Sequence, residues 1–265
     1  MLKGLYISAV GMQAQMNRMD ILSNNLANVD TAAFKRDATA LRSFTDELAQ
    51  RLHAENNTNP VPGAQRHHRP VGPFSSGVFV DEVYTDFLQG RLRETGDQFS
   101  AAIDGGGFFT VSVPLPSGDI VTRYTRDGNF TLNSQGMLVT KDGGMVLAQG
   151  NQPVYIPQGE GETTIDRYGN ISLNGDTVAR LMLTDFNDYT TLRKVGNNYY
   201  DVTPQTEQIE FTGTVVQGYI EDSNINAIRE MVEIINTARI YEANSKFVST
   251  IDQTLNKAAN EVGRK

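Results

Sequence analysis

Residues 1–29 read MLKGLYISAVGMQAQMNRMDILSNNLANV, and residues 223–262 read SNINAIREMVEIINTARIYEANSKFVSTIDQTLNKAANEV. Both stretches carry apolar residues at steps of three and four, the spacing of one face of a helix. The steps alternate in heptads, which is typical of coiled-coil-like helices. A core helix of an ordinary globular domain has the same pattern. Because neither helix can bury its apolar face alone, we predict that the two ends of the chain pair.

The apolar residues of the two stretches define the surface that we expect to mediate assembly. They are Leu2, Leu5, Met12, Met16, Met19 and Leu26 on the first stretch and Ile240, Phe247, Ile251 and Leu255 on the second. Methionine adapts to irregular contacts, which suits an interface between copies. Each of these side chains could equally pack within its own molecule. Gly4 and Gly11 should weaken the first helix by about 1 kcal/mol each relative to alanine.

The composition of the 265 residues indicates a globular chain and excludes several kinds of site. A net charge of −8 argues against nucleic-acid binding, because that requires a basic surface. The absence of cysteine excludes disulfides and cysteine metal sites. No apolar run reaches membrane-spanning length, so membrane insertion is not expected. The helical pattern of apolar residues continues through the region where a cleavage site would lie, which disfavours a cleavable signal peptide.

The order of patterns along the chain predicts an α+β fold, with paired, coiled-coil-like N- and C-terminal helices and a central antiparallel all-β module. We divide the chain into an N-terminal helical assembly segment (1–53), a proline-rich linker (54–77), the β module (78–216) and a C-terminal assembly helix (217–265) that pairs with residues 1–29. Leu41, Phe44, Leu48 and Leu52 stand at helical spacing and predict a second short helix at 38–53.

The central part of the chain changes to period-two alternation, which is typical of short strands. Turn dipeptides such as Asp142-Gly143 and Asn174-Gly175 separate these strands. Both dipeptides readily adopt the positive φ angles that tight hairpins require. The pattern favours an antiparallel sandwich or barrel-like module. Alternating helices are absent from this part of the pattern, which disfavours a parallel α/β fold.

The sequence offers weak candidates for chemistry, and we expect no enzyme and no cofactor. The three histidines, His53, His67 and His68, fall in the predicted helix end and linker, where we expect no metal site. The glycine-rich run at 104–107 precedes a strand and lacks the Lys-Ser/Thr of a phosphate loop. The paired carboxylates Glu221 and Asp222 are adjacent in sequence and are expected to be solvated.

Three separated blocks of sequence resemble the bacterial flagellar rod and hook proteins. Residues 23–35, SNNLANVDTAAFK, resemble the N-terminal signature of that family. Residues 102–109 with 124–130, and then 217–226, resemble its central and C-terminal motifs. The resemblance assigns the signature turn to Asn24, Asn25, Asn28, Phe34 and Lys35. Ala33 departs from the family pattern, which usually has glycine there.

The resemblance implies a structural subunit of the flagellar basal-body rod, most like the distal-rod subunit or a Gram-positive hook-basal-body protein. Its terminal helices would polymerise into a hollow shaft that transmits torque. The implied partners are other copies of the chain, other rod and hook proteins, and the flagellar type III export apparatus, with the subunit exported beyond the cytoplasmic membrane. Two other classes remain as alternatives: a surface adhesin or phage-tail-like fibre, and a carbohydrate-binding or hydrolytic β module.

Overall fold

A computed structural model describes residues 2–43, 77–115, 118–157, 161–196 and 198–262. Two long helices, α1 (Leu2–Ala27) and α2 (Ala227–Lys257), stand at the ends of the chain, and a π-helical turn (Ala258–Val262) follows α2. The region between them is strand-rich, so the predicted α+β class is confirmed. The predicted linker lies outside the described residues except for Gly77.

The strands within the described residues are short. They are β1 (Asp37–Ser43), β2 (Val78–Thr85), β3 (Leu92–Glu94), β4 (Ala101–Asp104), β5 (Phe108–Pro114), β6 (Ile120–Thr125), β7 (Phe130–Leu132), β8 (Leu138–Thr140), β9 (Met145–Ala148), β10 (Gln152–Pro153), β11 (Thr163–Ile165), β12 (Asn170–Leu173), β13 (Asp176–Arg180), β14 (Leu183–Phe186), β15 (Arg193–Lys194), β16 (Tyr199–Asp201), β17 (Gln208–Ile209), β18 (Thr214–Gln217) and β19 (Tyr219–Glu221).

The chain divides into two compact units. The first unit, which we call the helical unit, contains residues 1–24, 38–84 and 228–265. The second, the β unit, contains residues 25–37 and 85–227. The predicted boundaries at 53/54, 77/78 and 216/217 stay predictions. The last of them falls inside β18.

In the helical unit, β1 pairs with β2 in a two-stranded sheet. The helix predicted at 38–53 is therefore wrong for residues 38–43, which belong to β1, and its remainder lies outside the described residues. Pairing with β2 outweighs the helical spacing because it satisfies backbone hydrogen bonds along the whole strand. Leu41 is 41% exposed, so its helical spacing in the sequence does not reflect burial of its side chain.

The β unit is built around a ten-stranded sheet, in which the order β15-β16-β6-β5-β9-β8-β7 forms the main path. The registers of this sheet are antiparallel, as in the pairing of Phe109 on β5 with Thr125 on β6. One face of the sheet buries an apolar core that includes Ile103, Phe109 and Phe130. A second, aromatic cluster contains Phe108, Tyr124, Phe186, Leu192 and Tyr200. The predicted antiparallel β module is thus confirmed.

Turn-forming residues lie where the sequence predicted them. Asn174 and Gly175 have φ angles of 54° and 94°, and they join β12 to β13 in a two-residue hairpin that pairs Leu173 with Asp176. Both angles lie in the left-handed region that this hairpin requires. The turn therefore fixes the register of the three-stranded sheet β11-β12-β13.

Candidate assembly interface

The two helices pack against each other in an antiparallel sense within the helical unit. A Cβ added to Gly4 would lie 3.5 Å from the Phe247 ring, and one added to Gly11 would lie 3.3 Å from the Asn244 amide. Farther along α1, Arg18 donates a hydrogen bond of 2.9 Å to Glu233. The partners on α2 thus move toward its N-terminus as α1 advances. The predicted pairing of the two ends of the chain is present within one molecule.

The seam of α1 lies one residue before the predicted apolar stripe. Its positions are Gly4, Ser8, Gly11, Gln15, Arg18 and Leu22, which follow heptad steps. Ser8 and Leu22 are buried there. The stripe positions one residue later include exposed Met16 and no buried residue. Gly4 and Gly11 leave room on this seam for the Phe247 ring and the Asn244 amide of α2, and larger apolar side chains flank it.

The seam of α2 is equally regular. The less exposed residues at heptad steps are Glu230, Ile234, Thr237, Tyr241, Asn244, Val248, Ile251 and Leu255. Of these, Glu230 and Thr237 are buried, and both are polar. Polar residues on a helix seam favour one register over its alternatives but stabilise the pair less than apolar residues do. The intramolecular pair is therefore held by a mixture of apolar, small and polar residues.

A stripe of large apolar side chains remains exposed on α2. Ile228 is 72%, Met231 45%, Val232 51% and Ile235 52% exposed. Their spacing of three and four residues places them on one face, roughly 140° around the helix axis from the seam. We call these four residues the outer stripe. Monomeric proteins seldom expose contiguous apolar surface of this kind without using it for contact.

The residues that the sequence predicted as assembly contacts include partly buried side chains and exposed ones. Leu5, Met12, Met19, Leu26, Ile251 and Leu255 are partly buried, and the side chain of Leu2 lies outside the described residues. Met16, Ile240 and Phe247 are 46%, 47% and 50% exposed. Their role between subunits stays a prediction.

The signature turn is a docked segment of the β unit. Asn25 is fully buried, and its amide pairs with the backbone of Asp37, donating to the carbonyl at 2.8 Å and accepting from the N–H at 3.0 Å. Asn28 accepts a hydrogen bond of 3.1 Å from Thr31. Asn24 is exposed. The Asn25 side chain therefore satisfies both backbone groups of Asp37, as a neighbouring strand would, and closes the loop between α1 and β1.

Phe34 and Lys35 anchor that segment. Phe34 is 5% exposed and lies under the ammonium of Lys194, which is 3.7 Å from the ring centroid. Lys194 also donates hydrogen bonds of 2.9 Å to the Lys35 carbonyl and to the Asp37 carboxylate. Burial lowers the pKa of Lys194, and the Asp37 carboxylate opposes that shift. A cation–π contact of this kind is worth about 0.5–2 kcal/mol, depending on its burial.

Lys35 itself is fully buried and forms an ion pair with Glu221. The prediction that Glu221 is solvated is wrong, because this carboxylate is 1% exposed. Burial lowers the pKa of Lys35, and the charge of Glu221 and its hydrogen bond oppose the shift. Neighbouring Asp222 forms an exposed ion pair with Arg93 instead. Glu221 is the last residue of β19, whereas Asp222 follows the strand.

Sequence reasoning also missed Arg126, which is 3% exposed and lies with its guanidinium carbon 5.2 Å from the Phe108 centroid. Its Nη1 atom is 3.5 Å from Glu221 Oε2. No single stretch of sequence indicates this contact, because the two residues come from distant blocks. We call Lys35, Arg126 and Glu221 the charge cluster.

Other kinds of site are not found in the described part of the chain. Its His, Asp and Glu residues form no group of three that could hold a metal ion. The histidine positions 53–68 lie outside the described residues. Neither α1 nor α2 is long and apolar enough to cross a membrane.

Comparisons with known proteins agree with this geometry. The family described as "Flagella basal body rod protein" matches residues 5–35. "Flagellar hook protein FlgE/F/G D1 domain" matches residues 102–173, and "Flagellar basal body rod FlgEFG protein C-terminal" matches residues 216–261. The matches cover α1 with the signature turn, the central strands, and β19 with α2.

Full-length relatives carry the same assignment. Flagellar basal-body rod protein FlgG of Buchnera aphidicola subsp. Acyrthosiphon pisum is 36% identical over 97% of this chain and 98% of its own. FlgG of Buchnera aphidicola subsp. Schizaphis graminum is 34% identical over the same shares. FlgG of Caulobacter vibrioides is 34% identical over 96% of this chain and 97% of its own. The chain therefore belongs to the family of flagellar basal-body rod proteins.

Proposed function

We propose that this structural subunit of the flagellar basal-body rod polymerises through its terminal helices into a hollow, torque-transmitting shaft. The observation that carries the proposal is the outer stripe on α2. An apolar stripe left uncovered by the chain's own helix pair is available to neighbouring copies. A head-to-tail contact that does not close on itself generates a helical filament.

Burial of the outer stripe between copies would stabilise their contact. Complete burial of a Val, Ile or Met side chain is worth about 1.5–3 kcal/mol, so covering the exposed half contributes about 1 kcal/mol. Four such residues on each subunit contribute on the order of 4 kcal/mol to every contact, before the cost of association. Each subunit carries one outer stripe, so this gain is counted once for every subunit that joins the shaft.

The proposal includes the partners that a rod subunit requires. These are other copies of the chain, other rod and hook proteins, and the flagellar type III export apparatus. Export as an unfolded chain requires refolding at the growing tip, where α1 and α2 first have the opportunity to pair. We propose a construction role for this chain and no catalytic one.

The test is to place a charge in the outer stripe. Val232→Asp or Ile235→Asp would put a carboxylate into the proposed interface, where desolvation without a partner costs about 2 kcal/mol or more. We expect the concentration at which the purified chain begins to sediment as polymer to rise at least about 30-fold. We also expect loss of motility when the variant replaces the wild-type gene in a flagellated bacterium.

The matched control is Ser249→Asp, which adds the same charge at an exposed polar position of the same helix, about 20 Å along its axis from Ile235. It should assemble and support motility almost as the wild type does. Circular dichroism of each variant must show the wild-type helix content. If Val232→Asp and Ile235→Asp assemble at the wild-type concentration, the outer stripe is not the interface and the proposal fails.

A further inference from the structure

The charge cluster joins three separated parts of the chain at one buried point. Lys35 belongs to the matched N-terminal region, Arg126 to the central region and Glu221 to the C-terminal region. The side chains of Lys35 and Glu221 are 1% and 0% exposed, and that of Arg126 is 3% exposed. Charged residues are seldom buried to this extent unless they are paired. The three regions are thus tied together electrostatically.

The charges of the cluster are unequal, since two cations share one carboxylate. Glu221 Oε1 accepts from the Lys35 ammonium and, at 2.8 Å, from the Gly90 N–H. Glu221 Oε2 has Arg126 Nη1 at 3.5 Å, and neither atom has a hydrogen-bond partner within the described residues. The carboxylate of Asp86 acts on Lys35 more weakly than Glu221 does. Glu221 is therefore the main counter-charge for both cations.

The segment 28–36, which we call the N-terminal arm, contains no strand and is held by distant residues of the β unit. The Ala33 N–H donates to the Glu221 carbonyl at 2.7 Å. The Arg36 N–H donates to Asn224 Oδ1 at 2.8 Å, and the Asn198 amide donates to the Ala32 carbonyl at 2.8 Å. These partners lie 166 to 188 residues away in sequence. The docked position of the arm therefore depends on residues 198–224 as well as on Lys194.

We propose that the charge cluster is a lock that makes docking of the N-terminal arm conditional on the arrival of the C-terminal strand β19. Without Glu221, the docked arm would place Lys35 beside Arg126 with no adequate counter-charge, and two buried like charges repel. The arm therefore stays undocked until β19 is in place. Lys35, Arg126 and Glu221 act as positioning residues for the N-terminal arm and β19. The use of such a lock in a rod subunit depends on the proposed function, but its operation within one molecule does not.

The experiment is hydrogen exchange of the full-length chain, resolved by mass spectrometry into peptides from the arm and from the β5–β6 core. Glu221→Gln keeps an acceptor for the Gly90 N–H but leaves two uncompensated cations. Lys35→Met leaves one cation and one carboxylate, and the Leu88 carbonyl keeps the hydrogen bond that Asn224 donates at 3.0 Å. The double variant leaves a single cation. Asp222→Asn, which removes a neighbouring exposed carboxylate, is the matched control.

The lock predicts a specific order of effects. Glu221→Gln should accelerate exchange in the arm roughly 100-fold while the β5–β6 core stays protected. Lys35→Met should have the smallest effect, less than about tenfold, the double variant should lie between them, and Asp222→Asn should match the wild type.

Two results would overturn the lock. One is an effect of Lys35→Met as large as that of Glu221→Gln. The other is loss of protection from hydrogen exchange throughout the β unit in the double variant. The arm would then not undock separately from the unfolding of the β unit. Because the measurement concerns one molecule, failure of the outer-stripe variants to affect polymerisation would leave this result unchanged, and the reverse holds as well.

Discussion

Replacing Gly4 by alanine should tighten the pairing of α1 with α2. Glycine in a helix interior is about 0.8–1.0 kcal/mol less favourable than alanine. The new methyl group would lie 3.5 Å from the Phe247 ring and 3.7 Å from Ile251 Cδ1, which are ordinary van der Waals distances. Partial burial of that methyl adds roughly 0.5 kcal/mol. The helix pair should therefore gain about 1.5 kcal/mol, or roughly tenfold in its closing equilibrium.

Gly11→Ala provides a graded comparison. Its methyl group would meet Asn244 Nδ2 at 3.3 Å, so the Asn244 side chain must move by a few tenths of an ångström. The gain in helix propensity remains, but part of it is lost in that displacement. We expect between no effect and about fivefold stabilisation. Ala9→Gly, at an exposed position of α1, calibrates propensity alone and should destabilise about fivefold.

The measurement is native-state hydrogen exchange of a peptide within residues 2–24. Protection should increase for Gly4→Ala, change less for Gly11→Ala and decrease for Ala9→Gly, while the β unit stays unchanged. Faster exchange in Gly4→Ala would refute the reasoning. It would mean that the helices approach more closely at Gly4 than the Phe247 distance indicates, or that α1 is paired differently in solution.

Two further predictions concern the β unit. Gly128→Ala should destabilise the β unit by about 3 kcal/mol or more, because the new Cβ would lie only 1.5 Å from the Ala101 carbonyl oxygen and would force β4 aside. Chemical denaturation measures the loss of stability. A loss below about 1 kcal/mol would contradict the prediction. Burial raises the pKa of Asp127, so the folded chain binds this proton more tightly than the unfolded chain and loses stability as the pH rises through the folded pKa. Asp127→Asn keeps an acceptor for the Asn129 N–H. It should raise Tm at pH 7 but leave Tm unchanged at a pH below the ordinary aspartate pKa of about 3.9. An equal rise of Tm under the two conditions would contradict the raised pKa of Asp127.

The terminal helices show what periodicity can and cannot predict. Heptad spacing in residues 2–26 correctly indicated a long helix that pairs with the other end of the chain. It placed the seam one residue too late, because a hydrophobicity pattern selects the most apolar positions. In this antiparallel pair the seam instead includes Gly4, Ser8 and Gly11, and side chains of α2 pack against the two glycines.

The β unit shows a different limit. Asn174-Gly175 specified its hairpin correctly because the required φ angles are a local property. Residues 38–43 were assigned to the wrong element because their strand depends on a partner that begins only at Val78. The burial of Glu221 depends on Lys35 and Arg126, which lie far away in sequence. Local rules cannot supply such pairings.

The one-residue offset of the seam bears directly on assembly. If the helix pair buried Met16 and the outer stripe internally, the free subunit would be more stable but would have little apolar surface left to offer. The observed seam instead combines apolar, small and polar residues, of which the polar ones favour a defined register. The apolar residues that a monomer would normally bury remain 45–72% exposed. If the proposed shaft covers the outer stripe, α1 and α2 should exchange hydrogen much more slowly in polymer than in monomer.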